Sequence, residues 1–150
     1  GGRIRTNLWG TRGGGLRTLK GAHMSLRRTA LDQVGGFDPG YAGTALLEDA
    51  DLSARVRAAG WALRFEPRAE LVHLSAPTGG VRVDSERATQ RWRFQNTARF
   101  VRRHRGWRGA GPLVLTFGAI AVRKAARWGR PDAPVDLLAA LVRGWREGGR

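Results

Sequence analysis

The chain has 150 residues, a formal net charge of +15 and a hydrophobic content of 41%. This length gives room for one domain with a modest core, and the hydrophobic content excludes disorder throughout the chain. The absence of cysteine excludes disulfides and thiolate metal sites. The chain begins with Gly1 and shows no secretory leader, and we expect the natural N-terminus to lie upstream.

The charge is distributed unevenly along the chain. Residues 1–28 carry seven basic residues and no acidic one, whereas residues 29–76 carry seven acidic and four basic residues. Residues 81–130 then carry a net charge of +11. An acidic segment between basic ones is unusual for a protein that binds nucleic acid uniformly. It suits an active site beside an anion-binding surface.

The first predicted elements are short. Residues 1–20 are rich in glycine and arginine, which indicates loop or weak strand. A short strand is predicted over 22–25. A helix is predicted over 26–34, with Ser25 as its N-cap and the Gly35-Gly36 pair as its end.

A turn region is predicted over 37–44, followed by a second helix from Leu46 or Leu47 to Ala59. Alternating residues then predict a strand over 61–65, and another is predicted over 69–74.

The C-terminal part of the sequence predicts helices. A polar loop is predicted over 75–90, overlapping the start of a helix over 86–104. The apolar run 112–122 is too short to span a membrane, which needs about 20 residues. An amphipathic helix is predicted from Pro134 onwards. The apolar run and the helix from Pro134, both read as helices, either contact an anionic membrane or pack on the rest of the protein.

Three carboxylates within four residues, Glu48, Asp49 and Asp51, form the main candidate site. Acidic side chains in the first turn of a helix are favoured by the helix dipole, so plain capping is one interpretation. Close carboxylates are also used to bind a cation or to hold a catalytic base, which is the second interpretation. Asp51 and Arg55 are i,i+4 partners, which gives Asp51 a structural role as well.

An ordered series of motifs over residues 21–104 resembles the family 2 glycosyltransferases. The series reads Gly21-Ala-His-Met-Ser-Leu-Arg-Arg28, Leu31, Val34-Gly-Gly-Phe-Asp38, Glu48-Asp-Ala-Asp-Leu52, Arg55, Gly60-Trp61, Pro67 and His73. The resemblance implies an α/β protein with part of a GT-A fold, a nucleotide-binding αβα sandwich, followed by amphipathic helices. It also implies an inverting enzyme that transfers a sugar from a nucleotide-sugar to a hydroxyl of a glycan or lipid-linked acceptor, in cell-envelope polysaccharide synthesis.

The resemblance also implies roles for individual residues. Asp49 matches the general base of the family's Glu-Asp motif, because a carboxylate within hydrogen-bond reach activates a hydroxyl by taking its proton. Glu48 would orient the base or the acceptor, and Asp51 would anchor the helix through Arg55. Asp38 either contacts the acceptor or only holds the turn after the first helix.

His73, at the end of a predicted strand, has two interpretations. A lone histidine is ordinarily a surface residue or a satisfied core residue. By resemblance, it is instead a ligand of the divalent metal, Mg²⁺ or Mn²⁺, that is implied for the full-length enzyme.

The nucleotide-binding half of the family, which ends in an Asp-x-Asp motif, has no counterpart in this sequence. The Asp49-Ala-Asp51 triplet follows the Gly-Gly-Phe-Asp turn, where the acceptor-side motif belongs. We therefore expect residues 1–105 to be the C-terminal, acceptor-side half of the catalytic domain and 106–150 to be a helical tail. We expect this chain to be inactive alone, and to lie in the cytoplasm, peripheral to the inner face of the cell membrane if the tail contacts lipid.

The alternative function is a basic nucleic-acid-binding module. Arginines in residues 81–130 alternate with Trp92, Phe94 and Trp107, which is a pattern that can contact phosphates and stack on bases. The segment resembles no such module, and the acidic segment would have no role in one. No nucleic-acid partner is therefore expected.

Overall fold

The computed structural model describes residues 11–72 and 85–149. The elements are, in chain order, β1 (Gly14–Leu16), α1 (Arg28–Val34), α2 (Glu48–Ala58), β2 (Leu63–Phe65), α3 (Glu86–Arg105), a 3₁₀ helix (Gly106–Gly109), α4 (Ala110–Trp128) and α5 (Ala133–Glu147). They form two compact units. The strand-bearing unit comprises described residues 11–39 and 48–72, and the helical unit comprises 40–47 and 85–149.

The core of the strand-bearing unit is small. β1 and β2 form an antiparallel pair, and the inward residue of β2, Leu63, joins Leu19, Leu52 and Val56 in a buried cluster. Leu52 and Val56 are four residues apart, so they lie on one face of α2. This buried face holds α2 in the unit. The predicted helix and the predicted strand over 61–65 are therefore present, with shorter bounds.

The start of α1 differs from the prediction. The helix begins at Arg28, three residues after Ser25, and its N-cap residue, Arg27, makes no side-chain capping bond. The prediction that Ser25 caps this helix is therefore wrong. Met24 and Leu26 both pack against the buried cluster, and a spacing of two residues suits an extended chain rather than a helix. The predicted end at the Gly35-Gly36 pair is confirmed, since both glycines adopt a positive φ that suits a helix end.

Two predicted strands are wrong within the described residues. Over 22–25 there is no strand, and an isolated bridge joins Lys20 to His23. Over 69–72, the described part of the predicted strand 69–74, the chain is irregular, with Leu71 and Val72 exposed. Residues of high β-propensity form a strand only where a neighbouring strand and a buried face are available.

The helical unit is held by contacts among α3, α4 and α5. Phe94 of α3 meets Phe117 of α4 edge to face, with ring centroids 4.6 Å apart, and Leu137 of α5 is buried in the same cluster. At Gly144 a Cβ atom would lie 1.9 Å from the carbonyl oxygen of Gln95, so only glycine permits this approach of α5 to α3. The helix predicted over 86–104 is confirmed as α3.

The described residues contain helices and a two-stranded sheet, which is compatible with part of an α/β transferase domain. The complete αβα sandwich stays a prediction. The division of the chain after residue 105 also stays a prediction about domains, although α3, α4 and α5 belong to one compact unit. Among the described residues, no helix combines the length and the apolar character that a membrane crossing requires.

Candidate active site

The acidic triplet begins immediately after a strained piece of backbone. Ala45 and Leu47 have φ values of 49° and 75°, in the left-handed region that residues other than glycine rarely adopt. Such conformations cost of order 1 kcal/mol or more each and are concentrated beside functional sites. The next residue, Glu48, is the first residue of α2.

The predicted carboxylates all lie in the first turn of α2. The backbone N–H groups of a first turn have no partner within the helix, and the helix dipole favours negative charge there. Glu48 and Asp49 are half-buried, whereas Asp51 is fully buried. The three carboxylates therefore have different surroundings and can have different roles.

Asp49 is held by contacts within α2 and with the segment before α1. Its Oδ1 accepts the Ala50 N–H at 2.7 Å, and its Oδ2 lies 3.4 Å from the Gly21 nitrogen. Its carbonyl oxygen accepts the Ser53 hydroxyl at 2.6 Å, and the same hydroxyl oxygen accepts the Leu19 N–H at 2.9 Å. Among the residues that the structure describes, one oxygen of Asp49 is thus well bonded, whereas the other has a long contact.

Ser53 is a positioning residue that the sequence analysis missed. It is fully buried and connects the Asp49 turn of α2 to Leu19. The sequence offered one signal for this role: Ser53 is a small polar residue one helical turn after Asp49, on the same face as Leu52 and Val56.

Asp51 and Arg55 form the ion pair that their i,i+4 spacing predicts. Arg55 Nε donates to Asp51 Oδ2 at 2.7 Å, and Arg55 Nη1 donates to the Val34 carbonyl oxygen, also at 2.7 Å. Val34 is the last residue of α1. The pair therefore ties α2 to the end of α1, where the turn that carries Asp38 begins.

The pKa of Glu48 differs from that of an exposed glutamate. Partial burial, and then the neighbouring charge of Asp49, raise the pKa of the Glu48 carboxyl above its ordinary value of 4.5. Glu48 therefore takes up a proton more readily than it would in free solution.

Asp38 lies half-buried on the turn that follows Gly35 and Gly36. The adjacent Phe37 is 46% exposed and does not pack inward. Two consecutive left-handed glycines turn the chain sharply after α1, and this leaves the Phe37 ring at the surface.

The predicted metal ligand, His73, lies outside the described residues. Within 11–72 and 85–149, no group of three or more histidine, aspartate or glutamate side chains could hold a metal ion. These side chains alone do not fit a divalent metal site.

A buried polar side chain also positions a loop in the helical unit. Asn96 is fully buried on α3, and its Nδ2 donates to the Ala42 carbonyl oxygen at 3.1 Å. At the neighbouring Gly43, whose φ is +66°, a Cβ atom would lie 2.2 Å from the Trp92 ring. Asn96 and Trp92 therefore hold the loop 40–44 against α3.

Comparison with known proteins supplies the class to which this chain belongs. Residues 2–107 match the family model described as Glycosyl transferase family 21. The matched region is well over half of the chain, and the chain therefore belongs to this family of glycosyltransferases. The predicted class, a glycosyltransferase, is confirmed, and the matching model is that of family 21 where the motifs resembled family 2.

Two curated relatives come from strains of Mycobacterium tuberculosis. Both are described as N-acetylglucosaminyl-diphospho-decaprenol L-rhamnosyltransferase, and each is 38% identical over 107 residues. The alignment covers 70% of this chain and 33% of each relative. The chain thus spans about a third of the length of the curated relatives it matches. No solved structure matches the chain significantly.

Proposed function

We propose that this chain is the acceptor-side part of an inverting glycosyltransferase that moves a sugar from a nucleotide-sugar to a hydroxyl of a lipid-linked acceptor. Family membership supports the reaction class. The names of the two relatives, which specify a rhamnosyl group and a diphospho-decaprenol acceptor, support a lipid-linked acceptor and make a rhamnosyl donor the first to test.

The position of Asp49 carries the mechanistic part of the proposal. Its Oδ1 is held by the Ala50 N–H, while its Oδ2 makes a longer contact of 3.4 Å with the Gly21 nitrogen. A carboxylate that is fixed at one oxygen and more weakly bonded at the other suits a general base. In the proposed step, Asp49 takes the proton of the acceptor hydroxyl as the hydroxyl oxygen bonds to the anomeric carbon.

The bond from the anomeric carbon to the diphosphate breaks as the new bond forms. Its electron pair leaves with the nucleoside diphosphate, and attack from the opposite face inverts the configuration. In this proposal Glu48 orients the base or the acceptor, and its raised pKa lets it take up a proton, and so donate a hydrogen bond, more readily than an exposed glutamate. Asp38 contacts the acceptor from the turn after α1.

Asp51 and Arg55 are positioning residues in this proposal. The 2.7 Å ion pair and the Arg55 bond to Val34 hold the first turn of α2 beside the end of α1. This places the helix that carries Asp49 and the turn that carries Asp38 in one frame.

The donor and the divalent metal belong, in this proposal, to the complete protein. His73 is the residue proposed to contribute to the metal from this chain, where Mg²⁺ or Mn²⁺ would supply charge neutralisation at the diphosphate. The chain alone is proposed to be inactive, because the half that binds the nucleotide would be missing. The complete protein is proposed to work in the cytoplasm, at the inner face of the membrane.

The test compares the 150-residue chain with the parent protein. Each is incubated with a radiolabelled nucleotide-rhamnose and an N-acetylglucosaminyl-diphospho-polyprenol, and label in the lipid phase is measured. We expect transfer by the parent protein and none by the chain. Transfer by the chain alone would refute the missing-half proposal, and a parent protein inactive with all nucleotide-sugar donors would refute the transferase proposal.

A further inference from the structure

α4 is apolar on the face that it buries and also on the face that it exposes. Its buried residues Leu113, Phe117 and Ala121 pack in the core of the helical unit. On the opposite side, Leu115 is 77% exposed and Val122 is 65% exposed. A helix that is apolar all round is ordinarily covered on all sides, so the exposed side of α4 needs an occupant.

The exposed side of α4 is continuous and uncharged along most of the helix. The exposed residues between the start of the helix and Val122 are Gly111, Pro112, Val114, Leu115, Thr116, Ala119 and Val122. We call this set the outer face of α4. As a helix, it extends about 17 Å, which is shorter than the roughly 30 Å hydrocarbon core of a bilayer.

The charges around the outer face identify its occupant. α4 contains no acidic residue, and Arg123 and Arg127 are exposed in its last two turns. Residues 85–149 contain fourteen basic and four acidic residues, a net charge of +10. A second copy of this unit would carry the same charge and would be repelled, whereas an anionic lipid surface has the opposite sign.

An exposed tryptophan lies just before the first residue of α4. Trp107 is exposed, and it is steadied by an edge-to-face contact with Trp145 and by the Arg102 guanidinium, 5.1 Å from the Trp107 ring centroid. Exposed tryptophan combines an apolar ring with a polar N–H, which suits the headgroup level of a membrane.

We infer that the outer face of α4 lies flat in the interface of an anionic lipid bilayer, with Arg123 and Arg127 among the headgroups. This inference rests on the proposed function, because a membrane-seated α4 would bring the transferase to a lipid-linked acceptor. α5 also exposes Val135, Leu138 and Val142, but Arg143 and Arg146 are exposed on the same helix and Asp136 lies in its first turn, so its exposed side is not uncharged as the outer face of α4 is. The sequence alone could not separate the two helices.

The test is binding of the 150-residue chain to vesicles of phosphatidylglycerol and phosphatidylcholine in equal amounts, measured by sedimentation. Neither donor nor acceptor is needed, so the result is independent of the proposed reaction. We expect binding that weakens with salt and that is much weaker to phosphatidylcholine alone. Val122→Asp should lower the partition coefficient about tenfold or more, because it replaces an inserted methyl pair by an anion.

Val135→Asp is the matched control. Val135 is 70% exposed, close to the value of Val122, but it lies on α5. We expect its partition coefficient to stay within about twofold of the unmodified chain, since the change lies outside the inserted face. Equal losses in Val122→Asp and Val135→Asp would overturn the inference.

A second measurement guards against a variant that fails to fold. The chain has no cysteine, so Ala119→Cys and Val135→Cys each carry one environment-sensitive fluorophore. We expect a blue shift on vesicle addition at position 119 and none at position 135. An unshifted label at 119, or no vesicle binding by the folded chain, would refute the membrane surface. A dimer that Val122→Asp abolishes, without vesicle binding, would assign the face to a second copy and refute it too.

Discussion

Removal of the Asp51 carboxylate should destabilise α2 far more than removal of an exposed carboxylate would. Asp51 is fully buried and paired with Arg55 at 2.7 Å, while the Arg55 side chain is 18% exposed. Breaking a buried pair by removing one partner costs about 3–5 kcal/mol, because the remaining charge is left buried. Since Arg55 retains some solvent and its bond to Val34, we expect about 3 kcal/mol for Asp51→Ala.

The assay is hydrogen exchange of α2 peptides by mass spectrometry, because it reports on one unit of a chain with two. A loss of about 3 kcal/mol corresponds to exchange that is faster by more than about a hundredfold in α2. The double change Asp51→Leu with Arg55→Met should recover much of the loss, since it leaves no uncompensated charge.

Glu66→Ala is the matched control for this prediction. Its ion pair with Arg68 has a similar length, 3.0 Å, but both side chains are exposed. We expect no measurable change in exchange, because exposed pairs contribute little. Exchange of α2 in Asp51→Ala within about threefold of the unmodified chain would refute the role given to the buried pair.

Two further predictions concern packing and pH. Gly144→Ala should destabilise the helical unit by about 2–3 kcal/mol in urea unfolding, because its Cβ would meet the Gln95 backbone at 1.9 Å. Gly118→Ala, where nothing lies within 4 Å, should stabilise it by about 0.5–1 kcal/mol, and equal effects would contradict the packing. The fold raises the pKa of Glu48, so the ionised Glu48 carboxylate destabilises the folded state at neutral pH. Glu48→Gln removes this charge and should therefore raise the urea midpoint at neutral pH. The gain should vanish as the pH falls below 4.5, where the carboxyl is protonated in the unfolded chain as well. A gain that is equal at both pH values would contradict the shift.

The sequence predicted a helix best where the apolar periodicity was long. α3 lies within a residue of its expected bounds, because an apolar stripe that includes Phe94 and Ala98 runs along it. The Gly35-Gly36 end of α1 was predictable because few other residues adopt positive φ. Both signals are local, which is why a single sequence is enough to read them.

The predictions that were wrong concern features that depend on residues far away in sequence. The strand predicted over 69–74 needed a neighbouring strand, and Leu71 instead lies exposed on an irregular segment. The start of α1 was misplaced because Met24 and Leu26 pack on residues from other elements. In the site, spacing alone predicted the Asp51–Arg55 pair, whereas the bonds of Ser53 to Leu19 and of Arg55 to Val34 join segments far apart in sequence.

The most direct test of the account measures transfer kinetics of the parent protein carrying Asp49→Asn. We predict that kcat falls by about 10²–10⁴-fold with KM little changed, because the amide cannot accept the acceptor proton. Circular dichroism should match the unmodified protein, and Glu48→Gln should keep far more activity. A kcat within about threefold of the unmodified enzyme, or a larger loss in Glu48→Gln than in Asp49→Asn, would contradict the assignment of Asp49 as the base.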